Sequence, residues 1–449
     1  MPSSRLFGPM FTTPEISETV SDRAWLQAML DVEAALARAQ SMLGLIPAES
    51  GGVIASACTA DRFDIDAIGR EAAGSATPVV PLVDALRAAV PGDARTYVHR
   101  GATSQDILDT AMMLVARNAL DLILADAARV ENALAGLADE HRGTVMAGRT
   151  LMQQAVPITF GLKAAGWLTG VVEGSAGLRR VRQATLALQL GGAAGTLSAF
   201  GDRGLDVAEA MGKDLQLAVP PLPWQTQRGR VSEMAAALAM TAAAMAKIAL
   251  DVLLMAQTEV GEVSEAAGGR SSAMPHKRNP VGAVLVRACA EQAQGFAAML
   301  LTAGPHEQER AAGAWQAEWT ALSSLLAVTG GAVAKAAGML EGLQVHPRRM
   351  RENLDASGGL FASELLLAEL SSLTGEADAR RVVDGVVTEV LESGRTLRDV
   401  AGVNAAIAGA LSGEDLDRVC DPMTHVGMAD ALIDRALAAY RDAGSDSRG

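Results

Sequence analysis

Asp106-Ile-Leu-Asp-Thr-Ala-Met-Met-Leu-Val-Ala-Arg-Asn-Ala-Leu-Asp-Leu-Ile-Leu-Ala-Asp-Ala-Ala-Arg-Val-Glu-Asn-Ala-Leu-Ala-Gly-Leu-Ala138 is the stretch on which the fold turns. Its apolar residues Met113, Ala116, Leu120, Ile123, Ala127, Val130, Leu134 and Leu137 recur at alternating spacings of three and four, the period of one helix face. No proline interrupts the interval from Pro91 to Pro157. A helix of roughly 30 residues is about 45 Å long.

The pattern repeats outward. Prolines are absent from Ile158 to Val219, from Trp224 to Met274 and from His306 to His346, and these intervals are rich in Ala and Met at helical spacing, as in Leu238, Ala242, Met245, Ile248, Val252 and Met255. Four or five long helices are therefore expected side by side in a bundle. There is no fixed repeat period and no sustained charged seam of the kind that marks a coiled coil. The segment from Val231 to about Thr258 carries Ala or Met on nearly every face, which points to neighbours on all sides and to homo-oligomerisation. Before the bundle, Ser21 is placed to cap a helix through Trp25, Met29, Val32, Leu36 and Leu43 that Gly44 and Pro47 end, and a second helix runs to about Val90. After Ser357-Gly-Gly-Leu360 the helices become shorter and more charged, with turns at Gly375, Gly394 and Gly413. The expectation is an all-α protein of three helical domains: residues 1–105, a central long-helix bundle over 106–356, and residues 357–449.

Composition agrees. In 449 residues, 49% hydrophobic with only 3% aromatic means an interior of Ala, Leu, Val and Met, which lets helices approach closely. A formal net charge of −14 speaks against nucleic acid as a partner, so an anionic substrate must be drawn by a local group of cations. Cys58, Cys289 and Cys420 are widely spaced and lack metal or redox pairings, as expected of core residues in a reducing cytoplasm. The first residues lack the apolar core of a secretion signal, and the longest charge-free run, Gln183 to Gly201, is broken by Gln189, Gly191, Gly192 and Gly195. A cytoplasmic protein with no membrane segment is expected.

Between two helical patterns lies Gly268-Gly-Arg-Ser-Ser-Ala-Met-Pro-His-Lys-Arg-Asn-Pro280, where glycines, prolines, hydroxyls and cations are concentrated. Taken alone it reads as a loop able to close over an anion. Four further blocks carry polar chemistry: His99-Arg-Gly-Ala-Thr-Ser-Gln-Asp106 at the start of the first long helix, Arg149-Thr-Leu-Met-Gln-Gln154, and the cations of Gln227-Arg-Gly-Arg230 and Glu309-Arg310. Thr103 and Ser104 are each explicable as a helix cap, and Arg230 as a solvated helix residue. All blocks in one order are much harder to explain so.

That order resembles the fumarase/aspartase superfamily, whose members form or break a bond beta to a carboxylate. Many of its lyases carry His directly after the Arg-Thr pair and Glu seven residues past the signature Lys; here those positions are Leu151 and Val284. The adenylosuccinate lyases also have a His-Asp pair in the first domain, replaced here by Thr77-Pro-Val-Val-Pro-Leu. Losing His and Glu together is coherent, because a carboxylate left without its His would be a buried unpaired charge. Ser21-Asp-Arg-Ala-Trp-Leu-Gln, Ala102-Thr-Ser-Gln-Asp-Ile-Leu-Asp-Thr110, Leu222-Pro-Trp-Gln-Thr-Gln-Arg228 and Glu309-Arg-Ala-Ala-Gly-Ala-Trp-Gln-Ala-Glu-Trp319 are similar to the 3-carboxy-cis,cis-muconate cycloisomerase branch. Arg100, Leu151, Arg270 and Gln308 depart from that branch.

The resemblance implies Ser271 as the proton-transfer residue, Lys277 and Asn279 as a clamp on an enediolate, and His99 as a second titratable group. It implies Thr103, Ser104, Arg149, Thr150, Gln153, Arg230 and Arg310 as carboxylate-binding residues. The substrate is then a small polycarboxylate, with no metal or organic cofactor, in a homotetramer. Alternative readings are a lyase acting on a nitrosuccinate, adenylosuccinate or sulfomuconate type of substrate, and a catalytically silent structural protein resembling lens crystallins on this scaffold.

Overall fold

The computed structural model describes residues 4–266, 268–270 and 273–446. The fold is all-α, and five long helices dominate it: Ser104–Glu140, Phe160–Arg180, Gly229–Met255, Val281–Ala303 and Ala314–Glu341. The first has 37 residues and so exceeds the length expected from periodicity, while the Gly229–Met255 helix begins and ends slightly before the expected bounds. Met113, Ala116, Leu120, Ile123, Ala127, Val130 and Leu134 are buried as the period requires. Each large apolar side chain so buried contributes about 1.5–3 kcal/mol. Leu137 is only half-buried, and Ala138 takes the buried position.

The chain forms two compact units. The first comprises residues 1–128, 173–246 and 284–337; the second comprises 129–172, 247–283 and 338–449. Residues 1–105 thus all fall in the first unit and 357–449 all in the second, with 106–356 divided between them.

In the first unit, the Asp22–Met42 helix starts where its cap predicts, with the Ser21 hydroxyl accepting from the Ala24 amide at 3.2 Å. Trp25 Nε1 donates to Ser323 Oγ at 2.9 Å, tying this helix to Ala314–Glu341. Glycine is needed at position 331 of the latter, because a Cβ there would lie 2.0 Å from the Phe11 carbonyl oxygen.

The second unit holds a core built around Leu354, Phe361, Leu366, Val386, Leu397 and Ile407, where the short charged helices bury one stripe each. It also holds the short strands: Val145–Thr150 pairs antiparallel with Gln153–Thr159, Val263–Glu265 with Leu343–Val345, and Gly269–Arg270 with Arg278–Asn279. The first hairpin has no Asn-Gly signal. Leu151 and Met152 occupy its two-residue turn in the left-handed region, at φ 49° and 66°.

Among the described residues two helices, Gly229–Met255 and Ala314–Glu341, are long and apolar enough to cross a membrane by length and composition. Most of the second is buried inside the protein, as a core helix is. Cys58 and Cys289 are buried and Cys420 half-buried, all as free thiols.

Candidate active site

In the first unit the candidate residues gather at the N-terminus of the Ser104–Glu140 helix. Thr103 is its cap residue, and Asp106, three residues on, reaches back to accept from the Thr103 amide at 3.0 Å. Among the described residues neither the Thr103 nor the Ser104 hydroxyl has a hydrogen-bond partner. Two free hydroxyls at the positive end of a 37-residue helix are chemically able to donate to a carboxylate. Just before them, His99 adopts φ 60° and sets Nδ1 2.6 Å from Glu33 Oε1. Burial works against the imidazolium, but the Glu33 charge and hydrogen bond outweigh it and hold the His99 pKa above the ordinary histidine value.

Asp106 organises the neighbouring loop. Its carboxylate also accepts from the Gly191 and Gly192 amides, both at 2.9 Å, and from Gln189 Nε2 at 3.1 Å. Burial pushes its pKa up to about 6 against the lowering effect of those donors, so it is ionised at neutral pH and accepts all four bonds.

One turn along, Asp109 accepts from Gln105 Nε2 at 3.0 Å, from Trp315 Nε1 at 2.9 Å, and from Arg228 Nη1 and Nη2 at 2.6 and 3.1 Å. Arg228 bonds Glu318 as well, through Nε at 3.0 Å and through Nη2. These three side chains are at most 1% exposed. The His306 ring is fully buried beside them, Nε2 3.2 Å from Glu318 Oε1 but not aligned for a hydrogen bond. Burial raises the Glu318 pKa, yet His306 and Arg228 prevail and leave it below the usual carboxylate value.

Arg310 joins this group differently. Its Nη1 donates to Gln105 Oε1 at 2.7 Å, and its Nη2 to the carbonyls of Ala193 at 2.9 Å and Gly192 at 3.3 Å. All three acceptors are neutral, and among the described residues no carboxylate pairs with the guanidinium, so it is held in place with its charge available. Arg230 is elsewhere, donating to the Thr185 carbonyl at 2.7 Å beside Glu233. Arg100 donates to the Leu45 carbonyl at 3.3 Å.

In the second unit, Gly148 marks an irregularity in the first hairpin, where a Cβ would lie 2.7 Å from the Val156 carbonyl oxygen. Next to it, Arg149 makes a two-pronged pair with Glu262, at 2.9 and 2.6 Å. Glu262 is fully buried and also accepts from Asn353 Nδ2 at 2.9 Å, so Arg149 is already neutralised. Thr150 and Gln153 face each other across the hairpin and are exposed. Lys277 is exposed, and Asn279 is half-buried opposite Gly269. The Glu265 carboxylate accepts from the Gly282 and Ala283 amides at 2.9 and 2.8 Å, capping the Val281–Ala303 helix. Ser271 lies outside the described residues.

The geometry therefore unites Thr103, Ser104 and Arg310, separates Arg230 from them, and commits Arg149 to a protein carboxylate. Sequence reasoning quoted Gln105, Asp106, Asp109, Arg228 and Glu318 within its blocks without giving them a site role of their own, and did not single out Glu33 or Glu262. Asp106 and Asp109 lie three apart on one helix face, a spacing that signals a shared direction. Among the described residues no group of three or more His, Cys, Asp and Glu is arranged to hold a metal ion. A cavity of about 780 Å³ in the first unit, lined by Trp25, Met29, Arg70 and Trp319 among others, includes none of the candidate residues.

Comparison with known proteins gives a consistent picture. A family model described as lyase matches residues 10–295. The chain is 44% identical to a 3-carboxy-cis,cis-muconate cycloisomerase of Bradyrhizobium diazoefficiens, over 97% of this chain and 98% of that one. It is 45% identical to a nitrosuccinate lyase of Streptomyces davaonensis, over 97% and 94%. The solved structure of 3-carboxy-cis,cis-muconate lactonizing enzyme from Pseudomonas putida superposes with a TM-score of 0.94 at 39% identity, covering 98% of this chain and all of that one.

Proposed function

The chain belongs to the lyase family of the fumarase/aspartase superfamily, and from that premise we propose that it is a cycloisomerase interconverting 3-carboxy-cis,cis-muconate and 4-carboxymuconolactone. The observation that carries this reading is full-length similarity in sequence and fold to 3-carboxy-cis,cis-muconate cycloisomerases, and the pair of apolar residues where many lyases of the superfamily hold a His and its Glu accords with it. Leu151 is 96% exposed at its hairpin tip and Val284 is 49% exposed in the first turn of its helix, so neither is a core residue. A site without that imidazole suits a reaction whose nucleophile is part of the substrate.

In lactone formation, one carboxylate oxygen of the diene forms a C–O bond to an alkene carbon. The alkene electron pair moves onto the neighbouring carboxylate as an enediolate, and a proton then forms the new C–H bond. Because the nucleophile is tethered, proximity supplies much of the rate. The protein's task is to hold carboxylates and stabilise the charge that develops on one of them. Thr103, Ser104 and Arg310 bind a carboxylate at the start of the long helix. Lys277 and Asn279 are assigned to the enediolate and Ser271 to the proton transfer, a role in which an ammonium such as that of Lys277 would stabilise the serine alkoxide. His99, kept basic by Glu33, is the second proton-transfer candidate. Thr150 and Gln153 supply further donors. Arg149 acts through its pair with Glu262, fixing the hairpin that carries Thr150, and Arg230 steers anions from its separate position.

The protein works as a cytoplasmic homotetramer in the protocatechuate branch of aromatic catabolism, the β-ketoadipate pathway. Exposed Met240, Leu250, Met299 and Leu301 on two long helices support association. Loss of the diene absorbance on adding 3-carboxy-cis,cis-muconate to purified protein tests the activity. Turnover of nitrosuccinate with no change in that band would reject the cycloisomerase reading in favour of the nitrosuccinate lyase type, which the 45% identical relative keeps in view.

A further inference from the structure

Gln105 is fully buried in the first turn of the Ser104–Glu140 helix, and each polar atom of its side chain has a partner. Nε2 spends its two hydrogens on Asp109 Oδ2 at 3.0 Å and the Gln225 carbonyl at 2.7 Å. Both are acceptors that cannot donate, so the amide has one possible orientation. Oε1 must then face the other way, and it meets Arg310 Nη1 at 2.7 Å. Asp109 is itself immobilised by Arg228 and Trp315, which makes the amide a rigid spacer rather than a swinging one.

We propose that Gln105 is a positioning residue that delivers Arg310, charged and uncompensated, to a substrate carboxylate at the Thr103–Ser104 helix start. The inference deepens the reading of Arg310 as a carboxylate-binding residue and rests on it. Chemistry explains the residue type. A Glu here would neutralise the guanidinium as Glu262 neutralises Arg149, and an apolar residue would leave Nη1 without its guide. A neutral acceptor of this length, locked by a buried acid, holds a cation in place while leaving its charge for a ligand. Arg310 also sits on the connection between the Val281–Ala303 and Ala314–Glu341 helices, where its own amide bonds the Glu307 carbonyl at 3.1 Å, so its main chain is fixed but its long side chain needs a guide.

The test is a double-mutant cycle in steady-state kinetics with 3-carboxy-cis,cis-muconate, using Gln105→Met, Arg310→Met and the pair. Gln105→Met is expected to raise KM about tenfold with kcat little changed, the scale of one hydrogen bond to a charged group. In the Arg310→Met background the same change should raise KM no further. Gln105→Glu should raise KM more than Gln105→Met does, because it pairs with the cation, and that excess should vanish in the Arg310→Met background, whereas repulsion between the new carboxylate and Asp109 would persist there. Gln105→Asn, which keeps the amide but shortens the reach, serves if Gln105→Met does not fold and should raise KM by a smaller factor that also vanishes without Arg310. Independent, multiplicative effects of positions 105 and 310 overturn the proposal. An unchanged KM in Arg310→Met alone instead overturns the carboxylate reading of Arg310, which is a distinct outcome.

Discussion

Replacing Arg228 by Met is the most demanding perturbation of this architecture. The guanidinium donates to Asp109 at 2.6 and 3.1 Å and to Glu318 at 3.0 Å and by a second bond, and all three side chains are at most 1% exposed. Methionine fills much of the same volume, so packing loss is small and the cost is electrostatic. Breaking a buried pair from one side costs about 3–5 kcal/mol, because the remaining charge stays out of water. The two acids do not share that cost equally. Asp109 keeps the Trp315 and Gln105 donors, whereas Glu318 is left with the misaligned His306. Adding Glu318→Gln to Arg228→Met should therefore recover about 1–3 kcal/mol, the penalty of an unsatisfied buried group. Equilibrium urea unfolding at fixed protomer concentration, followed by far-ultraviolet circular dichroism, measures both values. A cost for Arg228→Met below about 1 kcal/mol, the scale of exposed pairs, would falsify the buried-network argument. So would a double variant less stable than the single one.

Further expectations concern pH, catalysis and packing. Folding raises the Asp106 pKa from 3.8 to about 6, so the stability it contributes is complete below about pH 4 and is lost as pH rises through about 6. At roughly 1.4 kcal/mol per unit this is about 3 kcal/mol, and Asp106→Asn should flatten the dependence of unfolding free energy on pH across that window; an unchanged slope rejects the assignment. Ser271→Ala should abolish turnover with little loss of substrate binding, while Ser272→Ala costs far less; equal rates for wild type and Ser271→Ala remove Ser271 from the mechanism. Gly331→Ala places a methyl group 2.0 Å from the Phe11 carbonyl and should destabilise by about 1–3 kcal/mol in thermal or urea unfolding, whereas Gly338→Ala in the same helix meets nothing within 4 Å and should be neutral or stabilising through helix propensity. Equal stability of those two variants would count against the close approach of Phe11.

The sequence by itself determined what depends on neighbours a few residues away. The three-and-four spacing from Met113 to Leu134 specifies a helix because side chains that far apart share one face, and Ser21 specifies its helix start because a hydroxyl reaches only the next turn. The polar blocks stood out for the same reason, since loops and helix starts have local chemistry. Tertiary structure decided the rest. Nothing near Leu151 and Met152 announces a hairpin turn; the left-handed pair is imposed by strands that pair only once folded. Arg228 and Arg230 are equal cations two residues apart in sequence, and the less conspicuous one proved to be the buried hub. Its partners Asp109 and Glu318 are 119 and 90 residues away, and so are invisible to any local pattern. Whether a cation binds a ligand or holds the fold depends on which carboxylates reach it, and that is settled only when distant helices bring their charges out of water together.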